Sequence, residues 1–500
     1  MTDSIKNLNL YSGGVLFLLF CILTINVFNW IIDDLYIYFR YVHNFTQGNG
    51  IVFNKGEFVE GFSSFSWLMI LSLIKSAGLP LEFSAKFTGL IFTFFSLICV
   101  YRICNETGLS VYFIPSVILM LFNLPFILWA VSGFEIMMFI YLLLLCFQFI
   151  VRMNSDSSFS LLLSFLIFLL SVSRPEGIVF SVTMLIFIYA FSGNRMLTLK
   201  YLGIYSILFG AFLFFRVFYF GDILPNTYYA KIGHNIVGYY EFRTYKNGIF
   251  YILFFLKSNP QFLIFFLLLP FAFSKLKSDK KFLFVVSIIS VQFAFIIFSG
   301  GDWMVQYRFA VVSIPFLSLG TVYCISRLTI SKVSRPAFIK LFTLLIFSVS
   351  VTGLYLADRT VIKKETVMWN NLKKESADIY KYILPGSIAA NGSSGIIPYY
   401  LEDVKFIDLV GLTNKHIAKE GFRHGTWFER SLPDYVYSLN PEWIIMWKKK
   451  NADGVYTFRD ASPCYFDMAE NKNFSGFEFF KEYDLYDDVK IELYKKIKPN

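Results

Sequence analysis

The stretch Leu10–Ile32, LYSGGVLFLLFCILTINVFNWII, carries no charged side chain and stops at the paired carboxylates Asp33 and Asp34. A bilayer crossing needs roughly 20 mostly apolar residues, so this run is long enough to span. It exceeds a signal-peptide core and lacks a small-residue cleavage site, and is therefore expected to stay as an anchor. Working outward, the 500 residues are 56% hydrophobic, 20% aromatic and only 16% charged, with a mean hydropathy of +0.57. Such a composition excludes an ordinary soluble globular protein and makes the lipid bilayer the first partner. The net charge of +10 does not point to nucleic acid, because Lys and Arg gather in short loops between apolar runs, the positive-inside pattern.

Those basic residues give each run a direction. Lys6 places the N-terminus on the cytoplasmic side, and the first run exits at Trp30 to Asp34 into an external loop, 33–62. Ser63 to Ile74 is short for a span and reads as an interfacial helix. The chain then alternates. Phe83 to Val100 enters towards Arg102, and Val111 to Trp129 exits at Ser132-Gly133-Phe134-Glu135. Met137 to Ile150 returns to Arg152, Leu161 to Val172 exits at Arg174-Pro175-Glu176-Gly177, and Val179 to Phe191 returns to Arg195 and Lys200. Tyr201 to Phe220 exits at Gly221-Asp222, Phe250 to Phe273 returns to Lys275 and Lys277, and Phe282 to Phe298 exits at Gly300-Gly301-Asp302. Phe309 to Ile325 meets Arg327, Lys332 and Arg335, and Phe338 to Leu356 leaves for the last time. The length rule thus predicts a mainly α, polytopic helical bundle of about 11 spans over 1–357.

From 358 to 500 the chain changes to dense charge, turn residues and short β-like runs at Ser387 to Ala390, Val404 to Leu409 and Trp443 to Trp447. This predicts a small extracytoplasmic α/β domain. Gly392-Ser393-Ser394-Gly395 before Ile396 to Leu401 has the form of a strand-to-helix turn that binds an anion or a sugar. Five of the six cysteines sit in or beside apolar runs and Cys464 stands alone in the tail, which argues against a disulfide framework or a Cys-metal site. His43, His234, His416 and His424 show no zinc-ligand spacing.

Once directions are assigned from basic residues alone, the acid-bearing clusters fall on the external side: Asp33-Asp34, Glu135, Arg174 with Glu176, Asp222, and Asp302 with Arg308. Loop ends are polar in any case. A whole set at span ends, where unpaired charge is costly, favours a hydrated cavity. Asp33 and Asp34 stand before an aromatic-rich helix, Leu35 to Phe45, where one carboxylate serves as a general base or both serve as helix cap and dipole partner. Arg174, Lys231 and Arg308 supply the positive charge that a phosphate leaving group needs, although each alone suits a headgroup anchor. Glu135 and Asp302 are open as metal ligands or as hydrogen-bond partners of sugar hydroxyls.

Several stretches together resemble the bacterial GT-C membrane glycosyltransferases. They are Asp33-Asp34-Leu35-Tyr36-Ile37-Tyr38-Phe39-Arg40-Tyr41, Gly48-Asn49-Gly50-Ile51-Val52-Phe53-Asn54, Val59-Glu60-Gly61-Phe62-Ser63, Ser132-Gly133-Phe134-Glu135, and Ser173-Arg174-Pro175-Glu176-Gly177. Gly221-Asp222-Ile223-Leu224-Pro225-Asn226-Thr227, Gly300-Gly301-Asp302-Trp303-Met304 with Arg308, and Ile407-Asp408-Leu409-Val410-Gly411-Leu412 complete the likeness, which covers nearly the whole chain. It looks most like the terminal β-1,2-arabinofuranosyltransferase branch and its surface-polysaccharide-modifying relatives. The resemblance implies inverting transfer from a polyprenyl-phosphate sugar to an envelope glycan, lipopolysaccharide O-antigen or similar, on the outer face of the inner membrane. It implies Asp33 or Asp34 as base and substrate or donor contacts at Arg40, Glu60, Glu135, Arg174, Glu176, Asp222, Asn226, Lys231, Asp302 and Arg308. It fixes no cofactor and leaves a divalent metal (Mg, Mn or Ca) open. The Phe-, Ile-, Lys-, Asn- and Tyr-rich composition favours undecaprenyl-phosphate hexose over decaprenyl-phosphate arabinose.

Two other functions compete. A transporter or flippase of lipid-linked sugars would track polar residues through the membrane rather than stop them on one face. A noncatalytic assembly subunit would not gather so many acids outside.

Overall fold

The computed structural model describes residues 2–153, 160–232, 236–237, 241–327, 335–424 and 430–497; His234 and Lys332 lie outside them. Among the described residues, five helices are long and apolar enough to cross a bilayer: Asn7–Ile25, Leu81–Glu106, Arg195–Phe220, Lys280–Ser299 and Pro336–Leu356. The chain is a multi-pass membrane protein, mainly α, with a C-terminal α/β region, as the composition and patterning predict.

Two expected spans are bent. Val111 to Trp129 resolves into Ser110–Leu121 and Leu124–Ala130 at 76°, and Phe250 to Phe273 into Thr244–Ser258 and Pro260–Leu276 at 101°. Each break has a local cause. The Asn123 side chain accepts from the Phe126 N–H at 3.0 Å and Pro125 follows in the first turn, so a new helix starts there. Pro260 ends its predecessor by removing the backbone donor that would reach the Leu256 carbonyl, and Asn259 closes the last turn, its backbone N–H and its side-chain amide both donating to the Phe255 carbonyl at 3.0 Å. Five further apolar helices are shorter, among them Ile136–Val151. Its 16 residues reach roughly 24 Å, less than the ~30 Å hydrocarbon core, a mismatch absorbed by local thinning or snorkelling flanks.

The chain forms two compact units. The first comprises Met1–Asn29, Glu82–Ala211 and Phe242–Arg359; the second comprises Trp30–Leu81, Phe212–Glu241 and Thr360–Asn500. In the first, the Ser160–Ser173 and Gly177–Ser192 helices pack as a hairpin. Their closeness depends on Gly177, where an added Cβ would stand 1.8 Å from the Leu170 carbonyl oxygen.

The second unit is built round a mixed sheet, in order Lys405–Asp408, Ile388–Asn391, Trp443–Lys450, Val489–Lys496, Phe477–Tyr486, with Tyr456–Thr457 pairing to Trp443–Lys450. The first three strands are parallel and the remainder antiparallel. The strands expected at Ser387, Val404 and Trp443 are present within a residue of those starts. Ile388–Asn391 and Lys405–Asp408 are buried along nearly their whole length, as parallel strands covered on both faces are. The outer edge at Lys405–Asp408 is closed by Asn54, whose amide both accepts from the Phe406 N–H at 3.0 Å and donates to the Phe406 carbonyl at 2.8 Å. One side chain thereby replaces a missing strand.

Gly177→Ala is expected to destabilise the protein by on the order of a few kcal/mol, since two backbones must part. Gly203→Ala, where an added Cβ meets nothing within 4 Å, is expected to be neutral. Thermal midpoints of the purified variants in detergent check both; equal midpoints would refute the close-packing account.

Candidate active site

The helix Asp33–Thr46 begins after Ile32, which offers no capping side chain. Asp33 takes up a different task. Its carboxylate accepts from the Ile396 N–H at 2.7 Å and the Gly395 N–H at 2.9 Å. The turn at Gly392–Gly395 does bind an anion, as its form predicts, and the anion is the chain's own Asp33. An added Cβ at Gly395 would lie 1.8 Å from the Asp33 carbonyl oxygen, so only glycine permits the approach. Asp408 holds the same turn through the Ser394 hydroxyl at 2.6 Å, and also accepts from the Val410 N–H at 2.9 Å and the Thr413 N–H at 2.7 Å.

Burial pushes the Asp33 carboxyl up to about 7; the Ile396 N–H pulls it back, Asp34 pushes it further, and Ser393 and Gly395 pull it back. Asp34, next along the helix, is only half-buried. Arg40 lies one face-repeat on and is fully engaged. It donates to the carbonyls of Phe53 at 2.8 Å, Val404 at 2.8 Å and Leu401 at 3.2 Å, and to Pro398, with its guanidinium over the Phe53 and Phe406 rings.

Glu60 is buried against Arg216, which meets both carboxylate oxygens at 2.8 and 3.1 Å. Burial raises Glu60 to about 7 despite that cation. The Glu60 carbonyl accepts from the Asn226 N–H at 2.9 Å, and the Asn226 side chain donates to the Gly411 and Leu412 carbonyls at 2.9 and 2.8 Å. Three stretches singled out in the sequence are thus joined through Asn226. Asp222 pairs with Lys419 at 2.8 Å and Lys415 at 3.5 Å. Lys231 is half-buried, and its carbonyl accepts from Arg423 at 2.6 Å.

The first unit holds the other group. Arg174 lies between Glu135 at 2.5 Å and Glu176 at 2.6 Å, all buried. Asp302 pairs with Arg308 at 2.6 Å. The guanidinium groups of Arg174 and Arg308 both stand over the Phe309 ring, 5.7 and 5.0 Å from its centre. Gln306 and Tyr307 just before have φ of 55° and 53°, a left-handed conformation that costs non-glycine residues energy and concentrates at functional sites. It is held by Trp129, whose indole N–H donates to the Val305 and Gln306 carbonyls. The second oxygens of Glu135 and Glu176 are buried without a hydrogen-bond partner, acceptor capacity that a hydroxyl-bearing ligand could use.

The expected site residues therefore resolve into Asp33, Asp34, Arg40, Glu60, Asp222, Asn226 and Lys231 in one unit and Glu135, Arg174, Glu176, Asp302 and Arg308 in the other. Arg216 and Asp408 belong with them and were not singled out as candidates. Arg216 is a lone cation in the apolar run Tyr201 to Phe220, itself a recognisable signal; Asp408 lies inside a quoted stretch. As metal ligands Glu135 and Asp302 fit poorly, since each already faces a guanidinium, and among the described residues no three His, Cys, Asp or Glu side chains gather as a metal would need.

Over 95% of this chain and 97% of theirs, two structures of ArnT from Cupriavidus metallidurans superpose at 12% identity: one bound to undecaprenyl phosphate, TM-score 0.56, and one apo, TM-score 0.59. The apo Archaeoglobus fulgidus oligosaccharyltransferase matches at 11% identity over 95% of this chain and 80% of its own, TM-score 0.53. At such identities the likeness is one of fold, and the fold is the GT-C type. Residues 366–492 match a family described as a domain of unknown function, DUF8728. No curated protein matches the sequence.

Two outcomes follow. Arg174→Met leaves two buried carboxylates facing each other, and is expected to cost about 3–5 kcal/mol, seen as loss of monodisperse protein; a variant as stable as the parent would refute the pairing. Asp33, Glu60 and Glu365 are all raised to about 7 by burial. Acids raised on folding contribute stability fully below their ordinary range near 4, and lose it as pH climbs through about 7. The thermal midpoint is expected to fall from pH 5 to pH 8, and less steeply in Asp33→Asn, which carries no ionisable group. A midpoint that rises over this range would overturn it.

Proposed function

We propose that the chain is an inverting glycosyltransferase that moves a sugar from a polyprenyl-phosphate donor to an envelope glycan. The observation that carries this reading is the fold match over nearly the full length of both chains to a protein crystallised with undecaprenyl phosphate. The side chains support the chemistry that such a donor demands. In the second unit, Asp34 is the general base. Both Asp33 oxygens accept from the turn at Gly395 and Ile396, and in this reading the half-buried Asp34 takes the proton from the acceptor hydroxyl. As that oxygen bonds to the anomeric carbon, the bond from carbon to phosphate oxygen breaks and the lipid phosphate leaves. The first unit carries its own cations, Arg174 and Arg308, whose chemistry suits a phosphate, and the spare oxygens of Glu135 and Glu176 suit sugar hydroxyls.

The finer assignments belong to the same proposal: an undecaprenyl-phosphate hexose as donor, lipopolysaccharide O-antigen or a similar surface polysaccharide as acceptor, kinship with the arabinofuranosyltransferase branch, and residence in the bacterial inner membrane. The N-terminus is then cytoplasmic and the region 358–500 periplasmic, following the 1–357 membrane module.

Asp34→Asn is expected to lower sugar transfer from radiolabelled undecaprenyl-phosphate sugar in membranes by about 10²-fold or more, at unchanged protein level. Asp33→Asn is expected to act mainly through stability. Full transfer by Asp34→Asn would sink the assignment of the base, and an envelope glycan of unchanged mass in a strain lacking the gene would sink the reaction.

A further inference from the structure

The second unit contains an open cavity of about 380 Å³ that none of the residues above line. It lies wholly within 448–470, between the end of the Trp443–Lys450 strand, the Phe458–Ala461 turn of helix and the Pro463–Glu470 helix. That volume falls at the small end of the roughly 300–1,000 Å³ of small-ligand sites, room for one or two sugar rings.

Its walls combine rings with charges. The Arg459 guanidinium stacks on Phe466, 3.9 Å from the ring centre, and the Lys448 ammonium stands over Phe458 at 4.5 Å. The Lys448 charge is already cancelled, because Glu492, buried behind it, pairs with it at 2.9 Å and also accepts from the Tyr494 hydroxyl. Asp460 is tied back to the Thr457 hydroxyl that caps its helix. What remains towards the opening is one guanidinium, Arg459, and one carboxylate, Glu470, both exposed. A guanidinium stacked by its flat face keeps its in-plane N–H donors for a ligand.

With Glu492 counted, two cations, Lys448 and Arg459, stand against three carboxylates, Asp460, Glu470 and Glu492, so the cavity has no electrostatic reason to take a lipid phosphate or a polyanion. Aromatic surface for C–H faces, with a planar donor and a planar acceptor for adjacent hydroxyls, is the chemistry of a neutral sugar. We propose that this cavity is a glycan-binding subsite that seats the acceptor polysaccharide away from the reacting centre. The inference rests on the transferase reading, deepening it by giving the acceptor a second point of attachment.

The test uses the purified full-length protein and, as probe, the envelope oligosaccharide released by mild acid from a strain lacking the gene. Saturation-transfer NMR is expected to show contact with the wild-type protein and with Asp34→Asn, and contact reduced on the order of tenfold in Arg459→Ala and in Glu470→Gln. In transfer assays these two exposed substitutions are expected to raise the acceptor KM by a similar factor while kcat stays within about twofold. Undiminished contact and KM in the Arg459→Ala, Glu470→Gln double variant would overturn the subsite, and so would a fall in kcat without a change in KM. The reaction itself is judged separately. If Asp34→Asn still transfers sugar, the base assignment fails whatever the cavity binds.

Discussion

The second unit depends on one carboxylate. Asp33 is buried, which would cost several kcal/mol if it stood alone, and two backbone N–H groups at Gly395 and Ile396 offset that cost. Seven residues later on the same helix, Arg40 reaches the carbonyls of Pro398, Leu401 and Val404. An anion therefore meets the start of the Ile396–Tyr400 helix and a cation its end, the arrangement that a helix dipole favours. Asp408 fixes the turn from the strand side, and Asn54 pairs with the strand that carries Asp408. The loop 33–62 and the sheet are thus parts of a single hydrogen-bonded body, and Asp34 inherits a fixed position from its neighbour Asp33.

Much of this was readable in the residues. Counting apolar runs located the long apolar helices, and the start of the Asp33–Thr46 helix lies within two residues of its expected place. Hydropathy counts side chains but does not register backbone direction, so the bends at Asn123 and Asn259 were read as straight, although Pro125 and Pro260 stood in plain view. The turn at Gly392–Gly395 was legible as a place for an anion because its signal is local. Its occupant was not, because Asp33 lies more than three hundred positions away and nothing in the spacing of either segment names the other. Arg216 escaped for the opposite reason: a single charge barely alters the hydropathy of its run, yet its burial against Glu60 makes it one of the more informative residues in that helix.

Within the first unit the arrangement is electrostatically lopsided. One guanidinium serves Glu135 and Glu176, a second serves Asp302, and Phe309 separates the two cations with its ring face towards both. Three acids against two cations leaves a residual negative charge in a buried setting, with two carboxylate oxygens unsatisfied. Such a group tolerates hydroxyl donors better than it tolerates emptiness. The left-handed backbone at Gln306 and Tyr307, held by the Trp129 indole, directly precedes Arg308.

The distance along the chain between Asp33 and its partners has a consequence for biogenesis. At about 5–20 residues per second of synthesis, the segment carrying Asp33 waits roughly 20 to 70 s before Gly395 and Ile396 leave the ribosome. During that interval the Asp33 carboxyl lacks the Gly395 and Ile396 N–H partners of the folded protein, and that contact is among the longest-range in the molecule, a class that forms slowly. Docking of the Asp33 helix onto the sheet therefore waits for synthesis of the C-terminal region, and until then the segment is open to chaperone capture or proteolysis.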